Sequence, residues 1–157
     1  EPEKVDMHEI LDQVRDKVAM RVDKEQGEIK VLKEAANSEL MGDPVHILNV
    51  IYNLIDNAIK YKKDVPRISI RTWNAQGGIF VSVQDKGIGM NKNASSRIFE
   101  QFYRVPTGNL HDVKGFGLGL NYVKSMMDLH NGRITVDSTP GVGSTFTLFF
   151  PLQNESN

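Results

Sequence analysis

The chain has 157 residues, 39% of them apolar and 25% charged, with a net charge of −1 and no cysteine. That length suits one domain around one core, and near-neutrality argues against broad non-specific nucleic-acid binding, which needs a basic surface. Disulfides and thiolate metal sites are excluded. Apolar runs such as "FTLFF" fall far short of the ~20 residues of a membrane span, and the charged opening "EPEKVDMHE" is unlike a signal peptide.

In chain order, a helix is predicted after the N-cap residue Asp6 and runs to about Glu25, with Ile10, Leu11, Val14, Val18 and Val22 facing inward. "EIKVLKEA" alternates as a strand. A second helix starts at Asp43-Pro44, cap followed by proline at the first helical position, and continues to about Lys62. "RISIRTWN" and "IFVSVQD" are strands joined by a hairpin turn at Ala75-Gln76-Gly77-Gly78. A glycine-rich irregular stretch from Lys86 to Phe116 follows, broken by an apolar segment at Ile98 and Phe99; loops of that length are usually functional lids. A third helix spans about Leu118 to Leu129 and stops at Asn131-Gly132. "RITVDST" and "STFTLFFPL" close the chain as strands, and only "EPEK" and "QNESN" read as tails. Helices on one face of a mixed or antiparallel sheet make a two-layer α/β sandwich.

The second helix carries "NLIDNAIKY". At about 100° per residue, Ile47, Ile51, Leu54, Ile55, Ala58 and Ile59 share one side, and Asn49, Asn53, Asp56, Asn57, Lys60 and Tyr61 share the other. Amides are weak helix formers, so two of them one turn apart call for a reason. Either this is a solvated, amide-rich face, or it is a site for a hard cation and phosphate, with amide oxygens on Mg²⁺ and Lys60 neutralising phosphate charge. The helix alone does not decide.

Three glycine stretches bear on the choice. "DKGIGM" (Asp85 to Met90) follows a strand; its glycines let a flat group approach the backbone, and ionised Asp85 can only accept hydrogen bonds, which suits an adenine amine. "KGFGLGL" (Lys114 to Leu120) precedes a helix, whose free N–H groups and dipole favour phosphate. "GVGSTF" (Gly141 to Phe146) brings Ser144 and Thr145 into a hairpin bordering the same region. Singly, each Gly-x-Gly reads more readily as a turn, and "GFGLGL" fits neither the Walker loop nor the Rossmann fingerprint.

The order Asn-x-x-x-Asn, Asp-x-Gly-x-Gly, "IFEQFYRV", "GFGLGLNYVK", "HNGRITV", "GVGSTF" resembles the catalytic ATP-binding domain of sensor histidine kinases, by motif from Asp43 to Leu152 and by pattern alone from Val5 to Leu40. The resemblance implies a Bergerat-type α/β sandwich with an ATP lid from about Gln101 to Lys114, and a single catalytic domain over residues 1–157 with its core at about 5–152. It implies that Asn57, with Asn53, holds Mg²⁺ against the triphosphate. Asp85 would read the adenine amine, Gly87 and Gly89 would make room for the base, Tyr61 would lie beside adenine or ribose, and Thr145 would line the adenine end. Lys60 and Arg104 would meet phosphate oxygens with help from Lys114. Backbone amides around Gly115, Gly117, Leu118 and Gly119 would cradle phosphate, and Phe99 and Phe102 would anchor the lid or simply pack in the core.

In hydrolysing members of the superfamily a glutamate stands where Asn53 stands and acts as general base; an amide cannot take that proton. The resemblance therefore implies phosphoryl transfer to a histidine on a separate helical dimerisation domain, then to a response-regulator receiver domain. No direct nucleic-acid binding is expected of this domain. The full-length protein is expected to be a homodimer anchored in the inner membrane, with this part cytoplasmic and monomeric in isolation. His8-Glu9 faintly matches the family's acceptor motif and reads as a surface helical histidine; His46 reads as a packing residue, His111 as solvated, and His130 as meeting a helix dipole. Alternatives are an anti-sigma-factor-type serine kinase, a nucleotide-gated interaction module without transfer, and a gyrase-like ATPase.

Overall fold

The computed structural model describes residues 1–100, 103 and 116–152, with 116–118 as helix backbone only. The elements run β1 (Glu3–Asp6), α1 (Met7–Lys24), β2 (Glu28–Lys33), β3 (Glu39–Gly42), α2 (Pro44–Lys60), β4 (Arg67–Ala75), β5 (Gly78–Asp85), α3 (Lys92–Arg97), α4 (Phe116–Leu129), β6 (Arg133–Thr139) and β7 (Gly143–Pro151). Five strands form one sheet in the order β2-β4-β5-β7-β6. The β2–β4 pair is parallel and the others antiparallel.

Helices α1, α2 and α4 cover one face of that sheet, as the predicted sandwich requires. Alternation along β5 turns Ile79, Val81 and Val83 inward, and the register sets them against Phe150, Leu148 and Phe146 of β7. From α1, Met7, Leu11 and Val14 meet this layer, and from α2, Ile47, Ile51, Leu54 and Ile55; all are essentially inaccessible. The opposite face carries Trp73 stacked on Phe80 at 5.2 Å, with Arg71 over Trp73 and Arg133 over Phe149.

Local chemistry sets the element ends. Asp43 caps α2 by accepting from the N–H groups of Val45 and His46, and Pro44 follows it. Gln76 and Gly77 both adopt positive φ, 54° and 74°, which is the turn geometry that suits a two-residue hairpin between β4 and β5. Asn131, at φ 59°, ends the segment after α4.

Two features escape the sequence reading. The opening "EPEK", expected to be a tail, contributes to β1, which pairs antiparallel with β3 and buries Val5 opposite Leu40. Strands of four residues offer too few positions for periodicity to register. The stretch after Lys86 also contains α3, capped by Asn91, whose side chain accepts from Ala94 N–H at 2.8 Å; one buried residue, Ala94, leaves no helical stripe to read. His8, expected at the surface, is half-buried, and its Nε2 shares a hydrogen bond of 2.8 Å with Thr72 Oγ1. Burial pushes the pKa of His8 down. Among the described residues no helix is long and apolar enough to cross a membrane.

Asp6 joins the ribbon to α1. Its Oδ1 accepts from His8 N–H at 2.9 Å and from Ser38 Oγ at 2.7 Å. Asp6→Ala is expected to lower the unfolding free energy by about 1–2 kcal/mol through the lost cap and hydrogen bond, as measured by urea titration. An unchanged midpoint would show that the ribbon is not tied to α1 through this carboxylate.

Candidate functional site

Where β5 and β7 lead out of the core, the inward column of Ile79, Val81 and Val83 ends in a carboxylate. Asp85 occupies the next inward position of β5, and its register partner is Ser144. Its Oδ1 accepts from Gly87 N–H at 2.9 Å and from Ser144 N–H at 3.3 Å. Both backbone donors thus converge on one oxygen of a carboxylate that lines the adjoining cleft. Burial raises the pKa of Asp85 above the usual carboxylate value, and the two backbone hydrogen bonds pull the other way.

The cleft, open to solvent, is lined by Asn57, Tyr61, Asp85, Ile88, Gly89, Met90, Ser144 and Phe146. Apolar walls with a few polar groups among them are the usual make-up of a small-ligand pocket. Helix α2 is joined to it at its last turn. Tyr61 is the C-cap, and its carbonyl accepts from Ile88 N–H at 3.0 Å, which holds the loop after β5 against the helix end.

Two glycines in this loop are required by the protein's own backbone. A Cβ on Gly87 would collide with the Tyr61 carbonyl oxygen, and one on Gly89, at φ +67°, with the Thr139 carbonyl oxygen. They let the loop close on α2 and on the β6–β7 turn, a role beside the one expected of them, of making room for a base. Gly89 lines the cleft as a consequence.

On α2, Asn57 is 9% exposed, although it belongs to the polar stripe, and its Nδ2 is buried without a hydrogen-bond partner among the described residues. An orphaned amide of this kind is costly unless a ligand engages it. Asn53 donates from Nδ2 to the Asn49 carbonyl at 2.8 Å. Its Oδ1 lies 3.0 Å from where a Cβ on Gly119 would stand, so α4 can approach α2 here because position 119 is glycine. The structure thus brings Asn53 to the first turn of α4, whose leading N–H groups lack helical partners. No cluster of three or more His, Cys, Asp or Glu exists among the described residues. A cation held here must rely on amide oxygens and on oxygens from its ligand, which suits Mg²⁺ with a polyphosphate.

Other predicted positions fare differently. Lys60 does not line the cleft; its Nζ pairs with Asp56 at 2.9 Å. Thr145 is not at the adenine end, because strand alternation turns it away while Ser144 and Phe146 face the cleft. Counting back by two from the apolar Phe146 would have selected Ser144. Ile88 and Met90 were also missed, since nothing in "DKGIGM" marks which apolar residues turn inward. Arg104, Lys114 and Gly115 lie outside the described residues, as do Phe102, His111 and, apart from Tyr103, the expected lid from Gln101 to Lys114. Gly117 and Leu118 are placed only as backbone of α4. Phe99 meets Phe146 edge-on at 6.3 Å, and its carbonyl accepts from Asn121 Nδ2 at 3.1 Å.

The family described as histidine kinase-, DNA gyrase B-, and HSP90-like ATPase matches residues 42–154. The chain is 45% identical over 150 residues to the sensor protein RprX of Bacteroides fragilis, covering 94% of the chain and 29% of that relative's length. Among solved structures, a mycobacterial sensor histidine kinase, MprB, superposes with a TM-score of 0.83 at 26% identity, over 95% of this chain and 97% of that one. Histidine kinase ThkA, solved in complex with the response regulator protein TrrA, superposes with a TM-score of 0.80 at 20% identity, covering 99% of this chain and 43% of that one. With its carboxylate-ended cleft and paired amides on α2, the chain belongs to the histidine kinase-, DNA gyrase B- and HSP90-like ATPase family, as a catalytic domain of the sensor histidine kinase type.

Proposed function

We propose that this domain binds ATP with Mg²⁺ and presents the γ-phosphate to a histidine on a separate helical dimerisation domain of a longer, dimeric receptor anchored in the inner membrane. The response regulator of that receptor then takes the phosphoryl group. The observation that carries the reading is one cleft lined by both the carboxylate of Asp85 and the neutral amide of Asn57, with Asn53 one turn before Asn57 on α2. In this reading Asp85 accepts from an exocyclic amine, and the ring lies against Tyr61 and Phe146, which line the same cleft. Asn57 and Asn53 would hold the cation through their amide oxygens, and that cation, when bound, would neutralise charge on the triphosphate. Position 53 carries no carboxylate, so α2 offers no base to water there.

The described histidines support an acceptor outside this chain. His8 is engaged with Thr72, and His46 Nδ1 with Tyr122 Oη at 3.0 Å. His130 donates from Nδ1 to the Met126 carbonyl and accepts at Nε2 from Asp43 N–H. All three have structural work in the folded domain.

Calorimetric titration with ATP and Mg²⁺ tests the site. Asn57→Ala is expected to weaken binding at least about tenfold, about 1.4 kcal/mol; unchanged affinity would put the triphosphate elsewhere. Asp85→Asn separates recognition from stability. Its amide oxygen can keep the two backbone donors while its NH₂ meets the adenine amine donor to donor, so ATP affinity should fall about 10- to 100-fold. The folded-state pKa of Asp85 is raised, so the folded protein binds more protons than the unfolded chain between the two values, and stability falls as pH rises through that window. Asp85→Asn should therefore melt higher than the parent at pH 7, with the gap closing as pH falls toward about 4. Incubated alone with labelled ATP, the chain should neither label itself nor release phosphate steadily, and should label an added histidine-bearing helical domain. Stable label on any histidine of this chain would overturn that division of labour.

A further inference from the structure

Asp56 lies between the two asparagines in sequence and has no part in the cleft. It is nonetheless engaged on both oxygens. Arg21 Nη1, reaching across from α1, meets Oδ1 at 2.7 Å, and Lys60 Nζ, one turn along α2, meets Oδ2 at 2.9 Å. The Asp56 side chain is only 14% exposed, while both cations remain about a third exposed. One shielded carboxylate is thus shared between a cation on a neighbouring helix and a cation next to the amide pair.

The placement on α2 gives this sharing a consequence. At about 100° per residue, Lys60 falls about 20° from the meridian of Asn53, with Asn57 about 60° to one side of Lys60 and Asp56 about 40° to the other. The ion pair draws the ammonium toward α1, away from the amide side. We propose that Asp56 is a positioning residue that holds Lys60 in reserve and releases it to an incoming polyphosphate, so that the Asp56–Lys60 pair sets the affinity for the phosphate part of the nucleotide. Arg21 makes the exchange feasible. When Lys60 turns to phosphate, Asp56 keeps a cation on Oδ1 and is not left as an uncompensated charge, which would be the costly outcome for a shielded carboxylate. This inference rests on the reading that Lys60 meets phosphate in the bound state.

The test is calorimetry at low ionic strength with ATP, ADP and adenosine, each with Mg²⁺, on the parent chain and four variants. Asp56→Asn, which frees Lys60, should tighten ATP and ADP by roughly two- to fivefold, the range of a partly exposed ion pair, and leave adenosine unchanged. Arg21→Gln, which leaves Asp56 to Lys60 alone, should weaken ATP by a similar factor. In a Lys60→Met background the effect of adding Asp56→Asn should vanish, because the coupling passes through Lys60. Unchanged or weaker ATP binding by Asp56→Asn overturns the proposal, as does an equal shift for adenosine, which would mark a structural effect. Persistence of the effect in Lys60→Met overturns it too, since plain repulsion between Asp56 and phosphate would then suffice. If the parent chain binds adenosine and ATP alike or not at all, the functional reading itself fails; normal ATP binding with an inert Asp56→Asn sinks only the role of Asp56.

Discussion

The antiparallel register of β5 against β7 sets Asp85 opposite Ser144, and the cleft is organised around that alignment. One backbone N–H from each side of the carboxylate, Gly87 and Ser144, is spent on a single oxygen. Shifting β5 by one residue would put Gln84 at the cleft and shifting β7 would put Thr145 there, each burying the wrong face of the strand that moved. The apolar column of Ile79, Val81 and Val83 packed against Phe150, Leu148 and Phe146 resists that slip. Core packing and ligand recognition are thus two ends of the same pair of strands.

Helix α2 connects the two ends of the site. Its apolar face is locked into the core by Ile47, Ile51, Leu54 and Ile55, which fixes the rotation of its polar face. That rotation buries Asn57, points Asn53 toward Gly119 of α4, and turns Asp56 toward Arg21 of α1. Three residues within one turn therefore meet three different surroundings. The C-cap then places the Tyr61 carbonyl under Ile88, so the loop that carries Gly87 and Gly89 is held by the same helix that presents the amides.

Recognition here opposes stability. A carboxylate that burial has pushed toward its neutral form, and an amide whose Nδ2 finds no partner, are each unfavourable in the domain by itself. Both lie in one cleft, while the remaining interior of α2 is apolar. A carboxylate held against the cost of burial and an orphaned amide lining the same cleft are what a site looks like when a ligand supplies the missing partners.

The alternation and helical stripes of the sequence determined most of the elements, the sandwich, and the polar stripe with Asn53, Asn57 and Lys60, because periodicity and caps are local properties. Asp85 was also legible as an acceptor, since an ionised carboxylate can only accept hydrogen bonds, and its Oδ1 accepts from Gly87 and Ser144 N–H. Four outcomes were decided only in three dimensions. The β1–β3 ribbon is too short to show a period. Asn57 is buried because α2 is rotated by contacts distant in sequence. Ser144 replaces Thr145 at the cleft because strand direction and register choose which of two neighbouring hydroxyls turns inward. Asp56 is shared between Lys60 and Arg21 because α1 brings Arg21 to the carboxylate that Lys60 already meets one turn along α2. Local order writes which groups are available; which way each one points depends on the packing of segments far apart along the chain, and no short stretch of residues contains that information.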